Sequence, residues 1–578
     1  MNKIYKLSVV LLSIVMTFTL TLNISAQDDT NIMEADVVVI GGGGAGLVSA
    51  LKASENGADV ILLEKMAYMG GATMLSAGII PAAGTSFQAE AGIVDTPEQL
   101  ALDILRPSHY SVRQDLVDTI ALNAGDIVEW MDELGVKWNL LTGFLYKGQS
   151  NYRMHQAEGQ GAEITKVLID EIYARDNIRV LLETPGTGLL TTNDDRVIGV
   201  TAENVSGEII VIKADNVILA TSGFAANDEM MKKYIPEITA AYPRVAPGAT
   251  GEGIVWAVKL GADVANMDAY QGYAPISNIT KDSLDLSMLY RGAILVNTNT
   301  ARFTDEYLGY SELSAHVINQ PGNIAYLVLD KNVAEGTSAL EKYEEDGILF
   351  KADTPAELAE KIGLDSEGMK EVFANYREAI KVGEGRFNRT KLPENWEAPF
   401  YAIEVTSDLR HTQGGIVINT DAQVLKTDGE VIKGLYAAGG VTEGFSSSGG
   451  PAYMSGNGLL QAFVFGKIAG ENAAANLIEV EKEVSAVSDK VYKDGTYTGL
   501  GRGLHGPIEV SVRVSNGKIK SVTVFSHEDT PEIADSAIEK LSEKIEEINS
   551  PDVEIVSGAT YTSNGLIEAV KDALKNAE

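Results

Sequence analysis

The apolar run Asp36-Val37-Val38-Val39-Ile40 ends directly in Gly41-Gly42-Gly43-Gly44-Ala45-Gly46, and no other stretch limits the possible folds so tightly. The run reads as a buried parallel strand, the glycines as a tight turn, and Leu47 to Asn56 as a helix. Val60-Ile61-Leu62-Leu63-Glu64 then reads as a second strand, which makes a βαβ unit closing on an acidic residue. Each position has a physical task. Gly41 permits the turn, Gly43 lets a pyrophosphate approach the backbone, and Gly46 allows close contact between helix and strand. Gly44 and Ala45 complete the turn into that helix, whose N-terminal N–H groups and dipole favour phosphate. Glu64, 18 residues beyond Gly46, is placed to accept from ribose hydroxyls, with Lys65 beside it. The expected fold class is α/β, with a Rossmann-like parallel sheet carrying a dinucleotide.

At 578 residues the chain exceeds one ordinary core, and about two to four domains are expected. Lys plus Arg number 46 against 81 Asp plus Glu, a formal charge of −35. Such a surface repels nucleic acid and anionic lipid, so no nucleic-acid partner is expected. There is no cysteine, which removes disulfides, thiolate metal sites, thioether haem attachment and iron–sulfur ligation together. The six histidines, His109, His155, His316, His411, His505 and His527, show no metal-ligand spacing, and no metal is expected.

Lys3 and Lys6 precede the apolar stretch Leu7 to Leu22, and Ile24-Ser25-Ala26 offers small residues for cleavage. Residues 1–26 read as a secretory signal peptide, with an uncleaved anchor helix as the alternative. The chain is therefore expected to be exported, to an extracellular, cell-surface or periplasmic location. Soluble NADH is absent there, so electrons would come from a membrane-linked donor.

Further along, Thr96 to Gly135 reads as helical, and Val197 to Val205 and Glu208 to Leu219 as strands. Residues 227–393 read as an α+β insertion. Gly434 to Gly440 resembles a nucleotide-domain strand again, and Gly458 to Leu477 its closing helix. Glu479 to Ser488 is a charged linker. A small α+β module follows: strands Glu509 to Val514 and Lys518 to Phe525, a helix Pro531 to Ile548, then Ser557-Gly558-Ala559-Thr560-Tyr561-Thr562-Ser563. The domains drawn are 33–226 with 394–478, the insertion 227–393, and 488–578.

A second glycine cluster, Met69-Gly70-Gly71-Ala72-Thr73, is followed by Ser76-Ala77-Gly78. Two-dinucleotide-binding flavoproteins have such a segment beside the flavin, which favours FAD over NAD. With Arg302-Phe303-Thr304-Asp305-Glu306, His411-Thr412-Gln413-Gly414-Gly415 and Gly434-Leu435-Tyr436-Ala437-Ala438-Gly439, the chain from Ala35 to Leu477 resembles the fumarate reductase/flavocytochrome c flavoprotein family. The resemblance implies non-covalent FAD held by Gly41, Gly43 to Gly46, Glu64, Lys65, Gly70, Gly71, Thr73, Ser76 and Gly78. It adds Thr221, Gly223, Gly439, Gly440, Asn457, Leu459 and Leu460 to that set, and makes 227–393 a domain capping the flavin. In that family a hydride passes to one carbon of an activated double bond and an acid protonates the other. The C-terminal module resembles a covalent-FMN-binding domain, through Ser-Gly-Ala-Thr, Asp494 to Gly499 and Gly506-Pro507-Ile508. That likeness implies FMN joined by a phosphoester to Thr560, and a flavin transferase that installs it.

The departures are equally informative. Fumarate reductases clamp two carboxylates with arginines and histidines and use an arginine as proton donor. Here Tyr310 stands where that donor belongs, eight residues after Arg302, and Tyr453 replaces the clamping arginine four residues before Asn457. Ala274-Pro275 replaces a His-Pro pair, and Met288 the acid of a Glu-x-x-Arg relay whose Arg291 remains. Arg302 beside Asp305-Glu306 reads as a structural ion-pair cluster. An unpaired buried carboxylate costs several kcal/mol, so a dicarboxylate is a poor ligand for such a site. Both tyrosines resemble those of 3-ketosteroid dehydrogenases and reductases. That likeness implies Tyr453 as the donor to a ketone oxygen and Tyr310 as the acid for the α-carbon, while His411 and Arg291 remain candidate catalytic residues.

The expected function is that of an exported FAD-dependent reductase of a double bond conjugated to a carbonyl, in a bulky neutral enone such as a 3-ketosteroid, with electrons passing from FMN to FAD. The alternatives are reduction of an unsaturated carboxylate of the urocanate, cinnamate or fumarate type, a dehydrogenase running the other way, an electron-transfer flavoprotein with no substrate of its own, or a binding module that has lost FAD.

Overall fold

The computed structural model describes residues 32–389, 391–477 and 491–577, apart from 552, 554, 557 and 558 and the side chains of 532, 533 and 560. The signal-peptide reading of residues 1–26 and the linker 479–488 lie outside the described residues. The chain forms two compact units, Met1–Leu477 and Ile478–Glu578.

The first unit is built on a sheet whose parallel strands are β1 (Ile32–Ile40), β2 (Val60–Leu63), β3 (Ile178–Leu181), β4 (Ile209–Leu219) and β5 (Val431–Ala437), in spatial order β5-β4-β1-β2-β3. Val37 to Val39 and Val217 to Leu219 are fully buried, as expected of strands covered on both faces. Helix α1 (Gly44–Glu55) starts three residues earlier than its apolar pattern indicates, because the glycines themselves adopt helical geometry. Helix α3 (Asn457–Ala475) packs along α1 through two glycines. A Cβ on Gly466 would lie 2.8 Å from the carbonyl oxygen of Ala45, and one on Gly470 2.3 Å from that of Ser49. Leu460, Phe463, Phe465 and Ala469 are buried around α3, so this helix is a core element. The stretch read as helical from Thr96 to Gly135 is two helices, Pro97–Leu105 and Gln114–Glu133.

A second, six-stranded sheet is centred on the 13-residue strand Phe400–Thr412, which pairs antiparallel with Tyr270–Ser277, Ala325–Leu329 and Leu349–Ala352. The boundary drawn at residue 393 falls before the strand that organises this sheet. Helix α2 (Tyr310–Ile318) lies against Tyr270–Ser277, where a Cβ on Gly272 would sit 1.9 Å from the Ser314 hydroxyl. Arg302 and Arg389 both bond to the buried carboxylate of Glu306, and Arg302 lies over the Tyr376 ring. These groups form the structural cluster read from Arg302-Phe303-Thr304-Asp305-Glu306.

The second unit has an antiparallel sheet of Gly495–Arg502, Pro507–Ser515 and Lys518–Ser526, with helices Pro531–Ile548 and Thr560–Leu574. Its core joins Ile508, Val510, Val512, Leu541, Leu566 and Val570. No helix among the described residues is long and apolar enough to cross a membrane.

Candidate active site

Four loops meet at the carboxyl ends of the parallel strands, where an open α/β sheet binds ligands. Gly41 follows β1 with φ at +108°, and a Cβ there would come 2.3 Å from the Ala220 oxygen at the end of β4. A Cβ on Gly46 would lie 1.8 Å from the Gly41 oxygen, so helix and turn touch directly. Gly43 is different: a Cβ there meets only Gly71 Cα, at 4.0 Å. Space therefore lies in front of the one glycine that has to face a pyrophosphate. Gly43 caps α1 with no side-chain hydrogen bond, and the first turn carries no acid, which leaves its N–H groups and positive dipole end for an anion.

Glu64 is buried, and its two oxygens accept from the N–H groups of Gly42 and Met66, each at 2.8 Å. A carboxylate oxygen has a second lone-pair site, so a ribose hydroxyl can still be accepted. Lys65 is tied to Thr250 at 2.5 Å and to Glu252 at 2.9 Å. The second glycine cluster bridges to the first through Gly43 and Gly70, and a Cβ on Gly44 would strike the Thr73 hydroxyl at 2.5 Å. Ser76 donates to the Thr73 oxygen, and Gly78 fits against Gln160. Gly223, Gly440 and Thr412 converge, with the N–H of Phe224 donating to the Thr412 hydroxyl at 3.1 Å. A Cβ on Gly439 would lie 2.8 Å from that of Ala45. Asn457, Leu459 and Leu460 form the first turn of α3. The Thr221 hydroxyl and the Asn457 side-chain oxygen are buried with no hydrogen-bond partner among the described residues, as groups awaiting a polar ligand would be. These residues fit a dinucleotide: those expected to hold FAD are brought together, apart from Lys65, whose ammonium is engaged by Thr250 and Glu252.

Beyond the start of α3 stands a group of phenols. Tyr310, the first residue of α2, lies 5.0 Å from the Tyr273 ring and 6.0 Å from that of Tyr453. Tyr453 in turn lies 5.8 Å from His411, near the end of Phe400–Thr412. The glycine contacts explain the convergence. A Cβ on Gly450 would lie 2.7 Å from the Ser311 oxygen, and one on Gly458 3.1 Å from the His411 ring. Tyr310, Tyr453 and His411 are each half-buried. The Ser455 hydroxyl donates to the Tyr310 oxygen at 3.0 Å.

Burial pushes the Tyr310 phenol up to about 12, with Ser455 and Tyr453 working against that rise. Burial also drives Tyr453, Tyr273 and Tyr290 upward and lowers His411. His411 is thus neutral near pH 7. The Gln413 amide lies 3.0 Å from its Nδ1 and the Thr412 oxygen 3.1 Å away.

Arg291 is not part of this group. Its guanidinium bonds to the Gly336 oxygen, Ser287 and Thr337 and pairs with Asp285 at 3.5 Å. Those partners lie in and beside the helices Ser287–Arg291 and Lys331–Glu335, so its reading as a catalytic candidate is corrected to a structural one. The Thr560 side chain lies outside the described residues, although its helix begins at that position. Sequence reasoning missed Ser455, Tyr273 and Arg410. Each adjoins a segment already singled out, Ser455 two residues from Tyr453, Tyr273 before Ala274-Pro275 and Arg410 before His411, but only the packed structure brings the three together.

Two family descriptions match: FAD binding domain over residues 36–459 and FMN-binding domain over 503–575. The chain is 34% identical over 455 residues to a fumarate reductase (cytochrome) of Shewanella frigidimarina, covering 78% of each chain. It is 33% identical over 462 residues to a urocanate reductase of Eggerthella lenta, covering 76% of this chain and 75% of that one. An NADH:fumarate oxidoreductase of Klebsiella pneumoniae matches at 34% over 446 residues, 76% of this chain, which spans only 47% of that longer protein. Among solved structures, the 3-ketosteroid-Δ4-(5α)-dehydrogenase of Rhodococcus jostii in complex with 4-androstene-3,17-dione superposes with a TM-score of 0.65 at 25% identity, covering 78% of this chain and 99% of that one.

Proposed function

Since this chain belongs to the FAD binding domain family and is an FAD-dependent oxidoreductase acting on carbon–carbon double bonds, we propose that it reduces a bulky, neutral enone of the 3-ketosteroid kind. The observation that carries this reading is the pair of phenols in edge contact, Tyr310 and Tyr453, with Ser455 bonded to the first and His411 beside the second.

FAD, when bound and reduced, supplies hydride to one carbon of a double bond. The chain's own residues do the rest. Tyr453 donates a hydrogen bond to the carbonyl oxygen, on which charge collects as the double bond is reduced. Neutral His411 adds a second donor there as the Nε2–H tautomer, in which Nδ1 accepts from the Gln413 amide. Tyr310 gives its proton to the α-carbon, and the Ser455 hydroxyl stabilises the phenolate left behind. A phenol whose reference value is ~10 is a weak acid toward water, but adequate toward an enolate. Neutral donors also suit a neutral carbonyl: Arg410, over the Tyr273 ring, is one cation already shared with Asp408, too little to offset the desolvation of two carboxylates. The ketosteroid complex among its structural neighbours supports the same reading.

Thr560 is the position at which a flavin transferase would esterify FMN, consistent with the FMN-binding domain match. An exported location would make a membrane-linked carrier the electron source. The second reading, an unsaturated carboxylate, draws on the relatives named for fumarate and urocanate. The test is to reduce the holoenzyme anaerobically and follow flavin reoxidation by 4-androstene-3,17-dione, fumarate and urocanate. Rapid reoxidation by the steroid alone is expected. Fast turnover of fumarate with none of the enone would overturn the proposal.

A further inference from the structure

The strand Phe400–Thr412 carries an irregularity beside the phenols. Gln271 pairs with His411 and Gly272 with Leu409, so Arg410 is an extra residue with no partner across the ladder. A bulge of this kind breaks the alternation of a strand and re-aims a side chain. Here the re-aimed side chain is a guanidinium lying over the Tyr273 ring at 4.8 Å, and Tyr273 is itself 5.0 Å from Tyr310.

The charge of this arginine is only partly used. Its Nε donates to Asp408 at 2.7 Å and its Nη2 to Ser283 at 2.7 Å. The same fully buried carboxylate also takes Arg244, at 3.0 Å. Two guanidiniums against one carboxylate leave a net positive charge. Nη1 of Arg410 makes no hydrogen bond with any described residue, and 23% of the side chain is open to solvent. A planar cation stacked on an aromatic ring and tethered at two corners is pre-organised, and it loses little entropy on taking one more partner.

Resting on the enone reading, we infer that Arg410 anchors a single anionic group, a carboxylate or sulfate, borne by the substrate away from its double bond. The substrate class is then an enone with an apolar body and one remote negative charge, rather than a wholly uncharged one. The reacting carbonyl remains neutral, so the phenols keep their roles.

The experiment uses two probes with the same enone: benzalacetone, and 4-carboxybenzalacetone, which adds one remote carboxylate. Binding to the oxidised holoenzyme is read from the perturbation of the flavin absorbance. The carboxylated probe should bind about tenfold or more tightly than the neutral one, the worth of a charge-assisted hydrogen bond. Arg410→Gln should weaken the carboxylated probe about tenfold more than the neutral one, and Arg410→Lys should keep part of the preference. If Arg410→Gln loses its flavin, the wild-type salt dependence serves instead: the advantage should shrink between about 0.05 and 0.5 M salt as screening sets in. Equal binding of both probes by the wild-type protein, or equal weakening by the substitution, overturns the anchor alone. Binding of neither probe overturns the anchor together with the enone reading.

Discussion

The Ser455 hydroxyl donates a 3.0 Å hydrogen bond to the phenol oxygen of Tyr310, which stabilises the phenolate more than the phenol. Tyr310→Phe should cut turnover by about 10² to 10⁴-fold, the usual worth of a positioned acid, with FAD content and its chemical reduction intact. Ser455→Ala should lower kcat less and leave KM nearly unchanged. A fully active Tyr310→Phe protein would show that the proton comes from elsewhere.

Tyr310 is pushed up to about 12, chiefly by burial, so it keeps its proton throughout the neutral range. The rate should be flat across neutral and mildly alkaline pH and fall only where the phenol ionises. Ser455 holds that ionisation down, so Ser455→Ala should move the alkaline limb to higher pH. A limb moving to lower pH would contradict the hydrogen-bond direction.

Gly46 has no room for a methyl group, since a Cβ would sit 1.8 Å from the Gly41 oxygen. Gly46→Ala should force α1 away from the turn and abolish FAD retention. Flavin absorbance after desalting is the measurement, and a variant with full FAD content would refute the cradle as described.

Two buried groups tilt stability with pH in opposite directions. Burial raises Glu443 to about 7 despite Arg113 nearby. The folded chain holds this proton where the unfolded chain has released it, so the contribution is present at low pH and lost as pH rises through 7. His155 is lowered to about 4 by burial; its contribution is present above 6.5 and lost as pH falls toward 4. Glu443→Gln should therefore gain stability relative to wild type at pH 8, by roughly 3 kcal/mol at most. Denaturant melts at pH 5 and pH 8 measure this, and a gain confined to pH 5 would reverse the assignment.

Thr560→Ala should leave FAD in place and remove the mass of FMN from the denatured chain in a mass spectrum. FMN retained on the substituted chain would place the attachment at another residue.

The parallel sheet and its glycine cradle were legible because each depends on neighbours in sequence. Val37 to Ile40 must be buried, Gly41 must turn with positive φ, and Gly46 must admit the helix. Both flavin domains were legible for the same reason. The strand Phe400–Thr412 was not, since its partners lie far away in sequence and its membership of the second sheet comes from pairing. The family resemblance implies a relay role for Arg291, yet its bonds to Gly336 and Thr337 arise only once helix Lys331–Glu335 packs beside it.

The order of residues alone determined that positions 310 and 453 carry phenols, because chemical identity needs no folding to be read. Only the tertiary structure decided what surrounds those phenols: a serine on Tyr310, a histidine beside Tyr453, and an arginine turned toward Tyr273 by one unpaired residue in a strand. Electrostatics and hydrogen bonding act over a few ångströms, and distances that short between residues remote in sequence exist only after helices and sheets have packed.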